Sequence, residues 1–393
     1  MRSIPLALFG ISWSITDSIV LAGYLLVLTT AALHRFRGLN LSKVELYVVS
    51  IAVWRSVTAL VGGTLSLSLT MKNLKFLFDV SPILLFRNPE LLRGAGVMIL
   101  AFVFSLSSIT LVSFVELFGI ANMDFFKGGM LEAFHRNHIK SGFAWSLGSL
   151  VVLVLAIKKD RRFLVLFPLL LVGLFYTQAR SYYLGFVGAT AGVFLLMALK
   201  HSVRYIVLGS ALLFSILAGG YFITPVKDRF LSIFTDLQSD MSIKCRLIFL
   251  EEGLKALWEN PFFGIGFGKW REYFAKLREI HAYNCPDYHV HNIFVHEAVE
   301  TGLPGAILLS FLFGYLLFRL FLSYLRAPTG GDAESYLLIG IAALLNFIIG
   351  GMFEPSLVKS VVLLPTFTLV GLALGVIYSH DQVRDGRVAR RNR

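Results

Sequence analysis

Charge is what this sequence has little of. Only 15% of its 393 residues are charged and 56% are apolar, whereas a soluble globular domain carries about 25% charged residues. Too few polar side chains exist to clothe a water-facing surface, which excludes a soluble enzyme or a disordered regulator. Cysteine is scarce as well: Cys245 and Cys285 are too few for a disulfide scaffold. There is no fixed-period repeat, no collagen-like pattern and no low-complexity tract. The ~10-residue polar/apolar alternation of an outer-membrane barrel is also missing. No cleavable leader is expected, because the short apolar stretch after Met1-Arg2 runs on into Asp17 and a further apolar run.

What is present is a series of long apolar runs. Val20–Leu33, Val44–Leu69, Gly94–Leu117, Gly142–Ile157, Phe163–Tyr176, Tyr182–Leu199, Tyr205–Ile223, Leu303–Leu325, Tyr336–Phe353 and Val361–Tyr378 read as spans. Ile4–Ile15 and Leu74–Phe86 read as shorter or tilted ones. The expected fold is therefore an all-α polytopic membrane protein of roughly ten to twelve transmembrane helices. Four segments follow: residues 1–223 and 303–379 as membrane helices, 224–302 as one large loop, and 380–393 as a basic tail suited to anionic lipid. The net charge of +12 then orients loops instead of recruiting nucleic acid.

The basic residues alternate consistently. Arg35, Arg37 and Lys43, then Arg87 and Arg93, then Lys158 to Arg162, then Lys200 and Arg204, then Arg326 and the tail arginines fall on one side, read as cytoplasmic. The opposite side receives residues 118–140, 177–181, 224–302 and 354–360. The third of these holds nearly half of the 24 acidic residues, as a small water-facing subdomain would. Loops longer than ~15 residues are usually functional, so chemistry is expected there. Within it, Ile243, Leu247, Leu250, Leu254 and Leu257 share one face of a helix over Ile243–Trp258.

The densest polar cluster runs from His281 through Asp287, His289, His291, Asn292, His296 and Glu297 to Glu300. Three readings stay open. His289 and His291 have ligand-like spacing, but His296-Glu297 does not complete an HExxH zinc motif, since position 300 is Glu300. The histidines can equally be interfacial hydrogen-bonding residues. In the third reading a neutral imidazole serves as general base, with Asn292 orienting a neighbour or a sugar hydroxyl. Arg180 lies in a turn between two spans, where a cation is functional or snorkels. Together with Arg246 it offers guanidinium forks that match a diphosphate. Arg55 is the most deeply placed cation, with pairing to Glu116 or a polar cavity as its two readings. Gly264-Ile265-Gly266-Phe267-Gly268 lacks the Lys of a phosphate loop and reads as a tight backbone re-entry. No paired-Asp motif of a nucleotide-sugar transferase occurs, so a lipid-linked donor fits better; neither metal nor cofactor is expected.

Three stretches resemble the bacterial O-antigen ligase and O-antigen polymerase superfamily. They are Gln178-Ala179-Arg180-Ser181, where Ala179 replaces a common Ser, then Arg246 with Asn260-Pro261-Phe262-Phe263-Gly264-Ile265-Gly266, and His291-Asn292-Ile293-Phe294 with Glu300-Thr301-Gly302-Leu303-Pro304-Gly305. The resemblance covers roughly residues 175 to 310. It implies a GT-C-like membrane glycosyltransferase acting on the periplasmic face of the bacterial inner membrane. Its donor would be an undecaprenyl-diphosphate-linked glycan and its acceptor lipid A–core, or another lipid-linked repeat unit in a polymerase. Carried over, His291 is the base and Arg180 and Arg246 bind the diphosphate, with Asn292, Glu300, His289 and Arg55 in support. A lipid-linked oligosaccharide transporter is the alternative from another class; it would need polar residues across several spans.

One expectation stands apart from the resemblance. Both cysteines fall in the large loop, on a side where oxidising conditions would join them. The bridge would close about forty residues, worth on the order of 4 kcal/mol in the chain-entropy model, and would tie Arg246 to the segment leading into His291. Alkylation before and after reduction, followed by intact mass, is expected to label both thiols only after reduction; two labels on the unreduced protein would contradict the bridge.

Overall fold

The structure, a computed structural model, describes residues 3–15, 23–25, 27, 43–120, 123–127, 129–222, 227, 241–281, 283–285 and 289–384. Its elements are α1 (Ser3–Ser12), α2 (Lys43–Val61), α3 (Leu67–Val80), a 3-10 turn (Ser81–Arg87) and α4 (Pro89–Leu117). A two-stranded antiparallel hairpin follows, β1 (Phe126–Lys127) and β2 (Met130–Leu131). Then come α5 (His138–Lys158), α6 (Leu166–Thr177), α7 (Arg180–Lys200), α8 (Arg204–Phe222), α9 (Met241–Glu259), α10 (Trp270–His281), α11 (Ile293–Arg326), α12 (Asp332–Gly351) and α13 (Ser360–Arg384).

The all-helical membrane architecture is as expected. Among the described residues eight helices are long and apolar enough to cross a bilayer: α2, α4, α5, α7, α8, α11, α12 and α13. Of the other expected crossings, α1, α3 and α6 are shorter helices of 10, 14 and 12 residues. Most of Val20–Leu33 lies outside the described residues, as do Asp228, Asp236, Asp240, Asp287 and residues 385–393. α13 and α5 form the centre, with 100% and 89% of their spanning windows buried, while α8 is peripheral at 17%.

Two backbone breaks mark the apolar runs, one inside a run and one at the start of another. Val44–Leu69 is not one helix. Gly62 and Gly63 stop α2, with Gly63 at φ +66°, and Ser66 caps α3 by accepting from Leu69 N at 3.3 Å. The span expected from Leu303 does start after a break, at Gly302 (φ 75°, ψ 176°), but a half-helix over residues 293–301 precedes it in place of loop. Only glycine adopts that conformation readily, and a Cβ there would run into the Phe262 carbonyl.

Both ends of the bundle group the loops as the charge pattern requires. At one end Arg87 pairs with Glu45 and lies over the Tyr378 ring. At the same end Glu334, fully buried, gathers Lys158 at 2.9 Å, Lys200 at 3.2 Å and His201 at 2.6 Å. At the other end Gln178 Nε2 donates to Gly129 O at 3.3 Å. Tyr182 meets Ser356 there at 3.1 Å, and Arg246 reaches Glu354 at 2.9 Å. The connections 118–140, 177–181, 224–302 and 354–360 therefore meet.

The large loop has its own small core of Phe249, Ala256, Trp270, Phe274, Val290 and Val299 around Cys245 and Cys285. The two cysteines are joined, their Cα atoms 5.6 Å apart. On α9 the packed face is Cys245, Phe249 and Ala256; the expected leucine face points outward, with Leu247, Leu250 and Leu254 exposed.

Candidate functional site

His291 stands at the threshold of α11. The side chain of Asn292 is the helix cap, Oδ1 accepting from Phe294 N at 2.9 Å and Val295 N at 3.1 Å. The oxygen assigned to orienting a sugar is thus spent on orphan helix amides, and its effect is to anchor the backbone beside His291. The imidazole lies nearly parallel to the Phe249 ring, 5.9 Å between centroids at 15°. Its own segment and α9 therefore hold it together.

The half-helix 293–301 ends at the Gly302 break, and its last carbonyls need donors. The glycine-rich segment supplies them. Ile265 N donates to Val299 O at 2.9 Å, Gly266 N to Glu300 O at 3.1 Å, and Trp54 Nε1 to Thr301 O at 2.7 Å. Gly264, Gly266 and Gly268 all have positive φ, so the re-entry read from sequence is a backbone cap. Glu300 serves the same scaffold: its Oε1 accepts from Trp270 N, the first residue of α10, at 3.3 Å, and Oε2 lies 3.8 Å from His296 Nε2.

The residue that assembles the site is Glu354, which the sequence reading placed only as the edge of a short connection. It sits between α12 and α13 and is 2% exposed. Arg246 Nη2 donates to Oε1 at 2.9 Å, while Lys359 Nζ and His291 Nδ1 lie 3.6 and 3.7 Å from Oε2. Burial pushes the Glu354 carboxyl up, but the nearby His291, Lys359 and Arg246 outweigh it and hold it below the usual carboxylate range. A buried carboxylate beside Nδ1 favours the tautomer that carries its proton there, with Nε2 as proton acceptor.

Arg180 opens α7. Gln178, left-handed at φ 53°, ends α6, and the chain reverses within two residues. Gly142 permits this, since its missing Cβ leaves room for Ala179. Ala179 gives α7 no side-chain cap, while its carbonyl accepts from Tyr182 N at 3.0 Å and Tyr183 N at 3.1 Å; the start of a helix is a setting that favours anions. Two residues on, the Tyr182 hydroxyl meets Ser356, and Gly350 packs on the Tyr182 ring. The turn carrying Arg180 is thus docked on the connection carrying Glu354. Arg246 Nε is buried and has no hydrogen-bond partner among the described residues.

Other expected residues lie elsewhere. Arg55 pairs with Glu297, not Glu116, through Nε–Oε1 at 2.8 Å and Nη2–Oε2 at 2.5 Å, under the Phe76 and Phe267 rings. Glu116 instead accepts from Phe125 N at 2.8 Å. Arg55 therefore fastens the half-helix 293–301 to α2. The His289 and His296 rings meet edge to face at 5.6 Å. Glu354, Lys359, Ser356 and Tyr182 were missed. The available signal was that Glu354 is the only acid in a short connection predicted to share a side with Arg180 and the large loop.

Because its carboxyl is held below 4.5, Glu354 contributes stability that is present above about pH 4.5 and lost as pH falls through the lower folded value. Thermal unfolding between pH 7 and pH 3 is expected to show a loss on acidification below ~pH 4.5 that Glu354→Gln lacks, the variant being less stable than wild type at pH 7. Parallel pH curves for the two proteins would contradict the arrangement.

A family model described as O-antigen ligase matches residues 164–310, a segment that includes Arg180, Arg246 and His291 but not Glu354 or Arg55. The exopolysaccharide production protein ExoQ of Rhizobium meliloti (strain 1021) is 30% identical over 111 residues, 27% of this chain and 25% of the relative. The aligned region thus spans about a quarter of that relative's length. Over residues 164–310 the chain is similar to the O-antigen ligase family.

Proposed function

We propose that this protein is a membrane glycosyltransferase that moves a glycan from undecaprenyl diphosphate to lipid A–core at the periplasmic face of the inner membrane. The observation that carries the reading is the convergence on buried Glu354 of one guanidinium, one ammonium and one imidazole, beside the turn of Arg180. With Glu354 offsetting one charge, Arg180, Arg246 and Lys359 leave the site net positive, as a diphosphate leaving group requires. In the reaction, the acceptor hydroxyl oxygen bonds to the anomeric carbon as the bond to the diphosphate breaks. The electron pair departs on polyprenyl diphosphate and the hydroxyl proton passes to His291 Nε2. Direct displacement of this kind inverts the anomeric centre.

The family description supports the ligase reading. The name of the Rhizobium relative, an exopolysaccharide production protein, favours a second: joining lipid-linked repeat units into polymer. Cells lacking a ligase accumulate lipid-linked polymer unattached to core, whereas cells lacking a polymerase attach single repeats. Purified protein with undecaprenyl-diphosphate glycan and lipid A–core is expected to transfer glycan in the presence of EDTA. His291→Ala, Arg180→Ala and Arg246→Ala should each lose on the order of 10²-fold or more in rate. Near-normal transfer by His291→Ala would remove the base, and abolition by EDTA would remove the metal-independent reaction.

A further inference from the structure

Helix α9 has two apolar faces, and the fold uses one. Cys245, Phe249 and Ala256 pack into the core of the large loop. The second row, Leu247, Leu250, Leu254 and Trp258, recurs at helical spacing and is 57%, 36%, 49% and 88% exposed. In water, such a contiguous apolar row marks a contact surface.

The row does not stop at the end of the helix. Past Trp258 the chain reaches Phe262, itself exposed, whose ring meets Trp54 of α2 edge-on at 5.7 Å while Phe263 stacks on the same indole at 5.8 Å. On α2 the neighbouring Val53, Val57, Leu60 and Val61 are exposed, and so are Leu303 and Ile307 on α11. These are outward faces of spanning helices, and Leu303 N donates to Pro261 O at 2.8 Å. The leucine–tryptophan row therefore continues the lipid-facing surface. Charged residues border one edge, where Lys255 pairs with Glu251 at 2.8 Å; Arg246 borders the other.

We propose that α9 lies in the headgroup–acyl boundary at this end of the bundle, with Leu247, Leu250, Leu254 and Trp258 in contact with lipid acyl chains. An interfacial helix of this kind buries its apolar face ~5–10 Å into the boundary and keeps a charged flank in water, and Trp concentrates at that depth. The occupant is lipid and not a second copy of the chain, because the row extends a surface that already faces the bilayer. A consequence, resting on the glycosyl-transfer reading, is that Arg246 is held at headgroup level, where the diphosphate of a membrane-bound donor lies.

The test uses the full chain in nanodiscs and needs no activity. The Trp258 contribution to fluorescence is the difference between wild type and Trp258→Phe. Phosphatidylcholine with brominated acyl chains is expected to quench it by roughly half, and aqueous iodide to leave it nearly unchanged, as for a ring ~5–10 Å below the boundary. Quenching by iodide alone, or by neither agent (a row covered by a second copy or another protein), would overturn the placement. Should Trp258→Phe not be recovered folded, a nitroxide on Leu254→Cys decides: greater collision with oxygen than with an aqueous nickel complex supports lipid contact, and the reverse overturns it. Failure of transfer in vitro would leave this placement standing, and a water-exposed α9 would leave the transfer reading standing.

Discussion

A carboxylate buried at the end of a membrane bundle cannot stay charged alone. Removing an ion from water costs several kcal/mol, and Glu354 meets that cost by drawing two cations and an imidazole from separate parts of the chain. Arg246 comes from the large loop, His291 from the threshold of α11, and Lys359 from the connection itself. Charge neutralisation thereby becomes geometry. Residues that are 45 apart in sequence between His291 and Arg246, and further from Glu354, are brought to one carboxyl group.

A second buried pair fixes the other side of the same unit. Arg55 and Glu297 are 5% and 3% exposed and make a two-pronged contact. Such pairs add little net stability compared with apolar packing, while loss of one partner is costly. Their value here is placement: the half-helix 293–301 cannot slide along α2 without stranding a charge. The glycine segment, Trp54 and the Gly302 break complete the arrangement, because a helix that ends inside the protein needs donors for its final carbonyls. His291 is thus positioned through backbone caps and ion pairs on rigid elements, as the proposed base would need to be.

Much of this was legible in the sequence, for identifiable reasons. Apolar run length and loop charge are one-dimensional properties, so the spans and the grouping of loops at two ends could be read directly. Arg180, Arg246 and His291 stood out because polar residues are rare near spans. The boundary at Gly62 was misplaced because hydropathy continues through a backbone break, whereas the span read from Leu303 starts at the Gly302 break. The leucine face of α9 was legible as a stripe, but periodicity does not say whether protein or lipid covers it. Glu354 and the Arg55–Glu297 pair were hidden because ion pairing across 242 residues leaves no local pattern. Asn292 was legible as a polar neighbour of His291, but only the extended backbone at φ −155° shows it to be a helix cap.

The central claim is that Glu354 and Arg246 act as one interacting pair that assembles the site. A double-mutant cycle on unfolding free energy, with Glu354→Gln, Arg246→Gln and the combination, measures that interaction without reference to catalysis. The arrangement predicts a coupling of about 1–3 kcal/mol, the range for residues sharing a buried charge network. Strictly additive effects of the two substitutions would contradict it.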